Sequence, residues 1–421
     1  MGGQSSGGVS GAAGSGGCAG ATNTGGGAGA AGSATSGGQG GTGGVVAGAG
    51  GAAGGGAGGT AAGSGGVGGM GGSGDAAGMG GSAAMAGASG AGAGSGGAAA
   101  GSAGSGGTGG STDGDISITD PVPGFASVAG GTTGGGTNLA SAVTVNSMSA
   151  LADAARGSNP AIILVEPGNY SGTLTLGANK TIIGTAPGVT INGNISISGS
   201  GAFNVIIRNL AVRGPRCNSY DECRAGSDAV YTGNGAHHVW LDHLDIADGQ
   251  DGNCDVTQGG DYVTISWSHF HYTYDKEHRF SNLIAGSDDE PDSVGKLRIT
   301  YMNSHWGERV DSRQPRGRFG NVHMLNNYHD TGGSQIHGVG VDMALIAENS
   351  VYDENIAIWT DMGSPRGFRG IGNIGSGSDL NASRGSVFEI PYDYSAMPAS
   401  EVVAAVTSPD CGAGNTCTLS R

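Results

Sequence analysis

Short runs rich in apolar residues recur along the second half of the chain at a nearly regular interval. Six of them align with apolar residues at their first and third positions: "VIIRNLAV" from Val205, "VWLDHLDI" from Val239, "VTISWSHF" from Val263, "LRITYMNS" from Leu297, "VHMLNNYH" from Val322 and "ALIAENSV" from Ala344. Their starts are 34, 24, 34, 25 and 22 residues apart. A strand-bearing unit of 22 to 25 residues without helical periodicity is typical of a solenoid whose coils share one core. We therefore predict an all-β protein, a single-stranded parallel β-helix.

One helix signal precedes these runs. The stretch "SMSALADAARGS" offers Ser147 or Ser149 as an N-cap ahead of a short apolar face. A helix at this position would cover the open end of the stack, which terminal units of solenoids require. We predict an N-terminal capping helix.

The first 114 residues have a different composition from the rest. They are almost wholly Gly, Ala and Ser, contain no Lys, Arg, His or aromatic residue, and lack the strict period of a collagen-like helix. Such a segment cannot bury enough apolar surface to offset the entropy of ordering it. We predict a disordered spacer over residues 1–114 and a folded domain over residues 115–421.

The chain is acidic, with a formal net charge of −16. The predicted folded domain holds all 18 basic residues and all but two of the 34 acidic ones. This balance argues against nucleic acid as a partner, and a polyanion of any kind would need help from a cation. No run of 18 apolar residues is present, so we expect no membrane span.

Six cysteines indicate the compartment. Cys217 and Cys223 are close in sequence, as are Cys411 and Cys417, whereas Cys18 and Cys254 stand alone. Two local disulfides in an exported protein are the preferred interpretation, and six free thiols in a reducing compartment are the alternative. We predict a secreted protein, which the spacer could tether to a cell surface.

Three aspartates lie in or beside the loops between the strands. Asp228 ends the loop of the first 34-residue interval, and Asp251 and Asp255 flank Gly252 in the next one. Carboxylates that converge from neighbouring coils repel one another unless a cation neutralises them, and an all-oxygen set suits Ca²⁺ better than Mg²⁺. The alternative is that these aspartates are ordinary turn residues.

Basic residues cluster further along the chain. The stretch "DSRQPRGRFG" contains Arg313, Arg316 and Arg318, and Lys276 lies in the loop of the second 34-residue interval. A strand could not bury three unpaired charges, so these arginines suggest an anionic partner. A polyanionic chain could contact the arginines directly and the aspartates through a bridging cation.

These motifs carry a family resemblance. From about Val122 to its end the chain resembles family 1 of the polysaccharide lyases, the pectate and pectin lyases. The matching stretches are "GFASVAGGTTGG", "NKTIIGTAPG", "NVIIRNLAV", "VWLDH", "DYVTISWSHF", "SRQPRGRFGNVHMLNNY" and "PYDYSAMPASEVVAAV". The resemblance implies that the β-helix is right-handed. It also implies calcium-dependent, endo-acting cleavage of polygalacturonate by β-elimination, by a monomer that leaves 4,5-unsaturated products.

Residue roles follow from the same resemblance. Position by position, it implies Arg313 as the base that removes the C5 proton, Lys276 and Arg318 as substrate-binding cations, and Asp228, Asp251 and Asp255 as Ca²⁺ ligands. Arg316 could contact substrate or pair with an acid to hold its loop. Because guanidinium keeps its proton at ordinary pH, we expect an alkaline optimum.

Two departures and three alternatives remain. Gly226 stands where many relatives carry a further acid, and Thr257 where some carry lysine. The alternatives are a calcium-independent pectin lyase acting on methyl-esterified pectin, a non-catalytic β-helical adhesin, and a hydrolase, which would need two carboxyl groups poised as acid and base and would not explain Arg313.

Overall fold

The computed structural model describes residues 115–331 and 333–420. The predicted spacer over residues 1–114, with Cys18, lies outside the described residues. The described residues contain three α-helices, α1 (Met148–Ala155), α2 (Tyr220–Arg224) and α3 (Ala399–Val406). The described strands, in chain order, are β1 (Asp115–Ile116), β2 (Val143–Val145), β3 (Ala161–Val165), β4 (Gly168–Thr175), β5 (Lys180–Gly184), β6 (Val189–Ser198), β7 (Phe203–Arg213), β8 (Val230–Gly233), β9 (His237–Ala247), β10 (Cys254–Val256), β11 (Asp261–Ser266), β12 (His269–His271), β13 (Leu283–Ile284), β14 (Arg298–Met302), β15 (His305–Trp306), β16 (Arg316–Gly317), β17 (Asn321–Leu325), β18 (Tyr328–His329), β19 (His337–Gly340), β20 (Ala344–Glu348), β21 (Val351–Tyr352), β22 (Trp359–Met362), β23 (Gly367–Ile371), β24 (Ile374–Gly375), β25 (Ser383–Gly385) and β26 (Thr418–Leu419).

The strands stack in parallel, coil upon coil, in three sheets. The first sheet runs from the C-terminal part of β6 through β8, β10, β13, β16, β19 and β22. The second contains β3, β5, β7, β9, β11, β14, β17, β20 and β23. The third begins with β4 and the N-terminal part of β6 and continues through the C-terminal parts of β7 and β9 to β12, β15, β18, β21 and β24. The predicted parallel β-helix is confirmed.

The core lies between the three sheets and is built by strand alternation. In β11, Val263 and Ile265 are fully buried and join the main apolar cluster. Their strand neighbours point to the other face of the sheet, because successive side chains alternate. Each coil thus contributes inward residues to one continuous core and leaves outward residues free for function.

The structure confirms the predicted alignment of the first three runs. It contradicts the alignment of the fourth run, from Leu297, and of the sixth run, from Ala344. Val263 pairs with Ile299, not with Leu297, and Val322 pairs with Leu345, not with Ala344. The second error is a one-residue slip, which exchanges the two faces of a strand. It arises because "ALIA" is apolar at every position, so the pattern alone does not fix which side chains point inward.

The predicted capping helix is α1. Ser147 is its N-cap, with Oγ accepting from Ala150 N at 3.3 Å, while Leu151 and Ala155 are buried against the first coils. At the other end of the chain, α3 packs Val402 and Val406 near β21. Among the described residues, no helix is long and apolar enough to cross a membrane.

The cysteines follow the preferred prediction. Cys217 bonds to Cys223 and Cys411 bonds to Cys417, each pair closing a short loop. Cys254 is a buried free thiol in β10. The first disulfide fixes the long loop that leads to Asp228.

Candidate active site

Two aspartates face each other above the first sheet. Asp255 is in the middle of β10 and points outward, since Cys254 and Val256 on either side belong to the core. Asp228 comes just before β8 on the preceding coil. A Cβ atom on Gly252 would lie 2.6 Å from Asp255 Oδ1 and 3.0 Å from Asp228 Oδ1. Only glycine therefore leaves the space between the two carboxylates open.

The electrostatics of this pair favour the binding of a cation. Burial raises the pKa of Asp228, and the negative charges of Asp255 and Asp251 raise it further. Burial also raises the pKa of Asp255, with the Arg313 guanidinium and the Leu283 N–H, which donates to Oδ1 at 2.9 Å, opposing this rise. Asp228 Oδ1 is buried and has no hydrogen-bond partner among the described residues. The donor set therefore fits a hard divalent cation.

Asp251 is held beside this pair by a histidine. His278 is buried, and its Nε2 lies 2.9 Å from both Oδ1 and the main-chain oxygen of Asp251. The structure thus places Asp251 close enough to Asp228 and Asp255 for its charge to raise the pKa of both, and their role as metal ligands stays a prediction. It adds His278, which sequence analysis missed because its partner lies 27 residues earlier.

Arg313 lies near the two carboxylates, and its charge lowers the pKa of both Asp228 and Asp255. Its guanidinium carbon is 4.4 Å from the centre of the Phe280 ring, which in turn is 4.1 Å from the His278 ring. Its Nη1 is buried and makes no hydrogen bond to any residue that the structure describes. The Arg313 backbone has φ of +62°, a left-handed conformation that non-glycine residues adopt mainly where surrounding contacts hold them. A cation with a free donor atom thus faces the acidic pair.

Buried contacts on the next residues hold this loop. Gln314 is fully buried, donates to Thr331 O at 2.7 Å and lies 2.8 Å from His329 Nδ1. The peptide bond from Gln314 to Pro315 is cis. These contacts fix the main chain directly after Arg313.

Arg316 and Arg318 also belong to the outward face of the first sheet. Arg316 aligns with Leu283 in β13, the residue whose N–H binds Asp255, so Arg316 stands two coils from Asp255. Burial lowers the pKa of Arg316, and the charges of Arg318 and Arg313 lower it further. The structure therefore brings the three arginines together on one side of the aspartates.

In this structure the guanidinium group of Arg318 binds an acidic side chain. Its guanidinium pairs with the exposed carboxylate of Asp288 and donates to Ala285 O at 3.0 Å. Asp288 is the first residue of an acidic run that continues with Asp289 and Glu290.

Lys276 is placed differently from the arginines. It is 9% exposed, and its ammonium donates to the main-chain oxygens of Gly249 and Gln250, the latter at 3.0 Å. Burial lowers its pKa to about 8. It also borders a cavity of about 550 Å³ with Arg216 and Arg279. Its substrate-binding role stays a prediction.

The two departures from the family pattern have structural partners. A Cβ on Gly226 would lie 2.4 Å from Gln250 Cβ, so the glutamine fills the space that a larger residue would need. Thr257 is buried and donates to the Tyr231 hydroxyl at 3.3 Å. Neither residue adds a charge to the site.

Comparisons with known proteins agree with this geometry. The family model described as pectate lyase matches residues 75–416. Pectate lyase A of Emericella nidulans is 31% identical over 315 residues, which cover 72% of this chain and 89% of that protein. Pectate lyase A of Aspergillus niger is 30% identical over 320 residues, covering 72% of this chain and 90% of that protein.

A solved structure shares the fold. A pectate lyase whose structure is described in terms of substrate specificity and an anti β-elimination mechanism superposes with a TM-score of 0.56. It is 21% identical, and the alignment covers 69% of this chain and 96% of that one. At this identity the likeness concerns the fold alone.

Proposed function

Because the chain belongs to the pectate lyase family of polysaccharide lyases, we propose that it is a secreted, calcium-dependent, endo-acting enzyme cleaving α-1,4-linked polygalacturonate to 4,5-unsaturated oligogalacturonides. The observation that carries the proposal is that Asp228 and Asp255 lie on either side of the open space at Gly252, with the positive charge of Arg313 close to both. The two disulfides support export. We expect the enzyme to act as a monomer.

Asp228, Asp251 and Asp255 would hold the cation. When bound there, Ca²⁺ would neutralise a uronate carboxylate and make the neighbouring C5 proton more acidic. Asp255 is oriented for this role by the Leu283 N–H, and Asp251 by His278. These contacts restrict the orientations that the two carboxylates can adopt.

Arg313 would act as the base. Its guanidinium lies over the Phe280 ring, and its Nη1 makes no hydrogen bond to any described residue that a substrate would have to displace. Removal of the C5 proton by Arg313 would place the electron pair of the C5–H bond in a new C4–C5 double bond, while the C4–O glycosidic bond breaks and its oxygen takes up a proton. Since guanidinium keeps its proton at ordinary pH, we expect the rate to rise toward alkaline pH.

Arg316 and Arg318 would bind substrate carboxylates. Guanidinium groups recognise carboxylates through paired N–H donors. Arg318 already holds one carboxylate, that of Asp288, whose side chain is 62% exposed. A uronate at this position would have to displace Asp288.

If Asp288 competes with the substrate for Arg318, removing its charge should change the affinity of the enzyme for polygalacturonate. We expect Asp288→Asn to lower KM for polygalacturonate by up to about fivefold, because exposed ion pairs contribute about 0.2–1 kcal/mol. Initial rates over a range of polymer concentrations measure it. Asp289→Asn, an equal charge change on the next residue, is the control, and an unchanged or raised KM for Asp288→Asn would refute the competition.

The role of Lys276 can be tested by measuring separately how its replacement changes substrate affinity and the free energy of unfolding. If its ammonium serves mainly to hold residues 249 and 250, Lys276→Met should lower the free energy of unfolding by about 1–3 kcal/mol, because it strands two main-chain acceptors. Urea unfolding measures this, with exposed Lys296→Met as the matched control. A raised KM without any loss of stability would instead support the predicted substrate-binding role.

Product analysis tests the class of enzyme. On polygalacturonate we expect products that carry a double bond and are one water lighter than hydrolysis products, as mass spectrometry can establish. Unsaturated products from highly methylated pectin alone would point to a pectin lyase. Saturated products would point to a hydrolase, and no product from either polymer to a binding protein.

A further inference from the structure

A cluster of histidines and carboxylates lies on the third sheet, whereas Asp255 and the arginines lie on the first. Asp245 in β9 pairs in register with His269 in β12, and His269 pairs with His305 in β15. His271 follows His269 by two residues and therefore points from the same face of the strand. Two coils thus present one carboxylate and two imidazoles side by side.

One oxygen of the Asp245 carboxylate lies near both imidazole rings. Asp245 Oδ1 is 2.6 Å from His271 Nε2 and 4.0 Å from His269 Nδ1, and the two rings stack with centroids 4.4 Å apart. One ligand atom from each of the three residues can be chosen so that all lie within 4.8 Å of one another. The other oxygen of Asp245 pairs with Arg213, which also donates to the Asp245 main-chain oxygen at 2.7 Å. Arg213 thereby directs Oδ1 toward the histidines.

A further carboxylate is available nearby. Glu308 Oε2 lies 3.5 Å from His269 Nε2, and this nitrogen is buried without a hydrogen-bond partner among the described residues. Glu308 itself is exposed and free to move. Because this is the ring nitrogen opposite to the one that faces Asp245, Glu308 can orient the His269 ring, and the cluster offers three ligands held by strands.

The chemistry of this set differs from that of the aspartate site. Two imidazoles and one carboxylate are ligands typical of zinc, whereas Ca²⁺ takes oxygen ligands. Tetrahedral zinc with bonds of about 2.0–2.1 Å separates its ligand atoms by roughly 3.3 Å. The observed 2.6 and 4.0 Å lie on either side of that value, so small side-chain rotations suffice.

We propose that Asp245, His269 and His271 form a zinc-binding site on the third sheet, separate from the aspartate site on the first sheet. A metal bound there links β9 to β12, and so ties two coils of the helix together. The row of histidines on the third sheet continues on the next coil with His305. This residue pairs with Asp330 at 2.9 Å and is not a ligand. His305 therefore provides a matched control.

The test is calorimetric titration of the full chain with ZnCl₂ in excess Ca²⁺, which keeps the aspartate site occupied. We expect wild type and His305→Gln to bind one Zn²⁺ with equal affinity, and His269→Gln and His271→Gln to bind it at least about 100-fold more weakly. Circular dichroism and lyase activity of each variant verify that it remains folded. No binding by wild type, or equal binding by His271→Gln, overturns the proposal.

A second measurement does not depend on the variants. Co²⁺ substitutes for Zn²⁺ and gives visible absorption bands whose intensity reports its coordination. We expect bands of four- or five-coordinate cobalt with the wild-type chain, and their loss on addition of one equivalent of Zn²⁺. A spectrum identical to that of aqueous Co²⁺ contradicts the site.

Discussion

Arg313→Lys is expected to lower kcat on polygalacturonate by about 10²–10⁴-fold, the contribution typical of a positioned general base. Lysine retains a positive charge, but it lacks the planar group that lies over Phe280 and cannot place a nitrogen where the unpartnered Nη1 stands. The loss should appear mainly in kcat, because Arg316 and Arg318 still bind the polymer. Initial rates by ultraviolet absorbance of the unsaturated product measure it.

The matched control is an arginine far from the groove. Arg384 in β25 is exposed and pairs with Asp361, so Arg384→Lys should retain full activity. Thermal unfolding of both variants shows whether the fold survives. Activity of Arg313→Lys within about threefold of wild type would remove Arg313 from the role of base.

The acidic pair should make the stability of the protein depend on pH, and calcium should weaken this dependence. The folded-state pKa values of Asp228 and Asp255 are raised above those of an unfolded chain. The contribution of this pair to the stability of the calcium-free protein should therefore be greatest below about pH 4, and be lost as rising pH ionises the folded pair. Each unit of upward pKa shift corresponds to about 1.4 kcal/mol lost once ionisation is complete. Scans of Tm from pH 5 to 9 in chelator measure this fall.

Calcium and a single substitution should each reduce that dependence. Bound Ca²⁺ compensates the negative charges, so the Tm gain on adding Ca²⁺ should grow as pH rises. Asp255→Asn removes one charge but keeps an acceptor for the Leu283 N–H. It should flatten the pH dependence in chelator and weaken Ca²⁺ binding by at least about tenfold. Exposed Asp410→Asn is the control, and a Tm in chelator that rises toward pH 9 would contradict the account.

The architecture could be predicted from sequence because strand alternation is a local property. Runs such as "VTISWSHF" show which residues point inward, and the coils then stack without further choice. The prediction failed at Ala344, where four consecutive apolar residues hide the alternation, and the true inward residue is Leu345. Local pattern therefore gave the fold class and most, but not all, of the register.

The residues around the site were less accessible to sequence analysis. Asp228, Asp251, Asp255 and the three arginines were found from their clustering and the family resemblance. His278 and Phe280 were missed, since their roles depend on contacts with Asp251 and Arg313 on other coils. No pattern in the neighbouring sequence indicates the hydrogen bonds of Lys276 or the pairing of Asp288 with Arg318.

The most direct test of the central claim is ultraviolet absorbance during incubation with polygalacturonate at alkaline pH, first with Ca²⁺ and then with excess chelator. The account predicts a steady rise with Ca²⁺ that stops on chelation, resumes when Ca²⁺ is restored, and is nearly absent in Arg313→Lys. Release of reducing ends without any rise in absorbance, or a rise that continues in chelator, would contradict calcium-dependent β-elimination by this site.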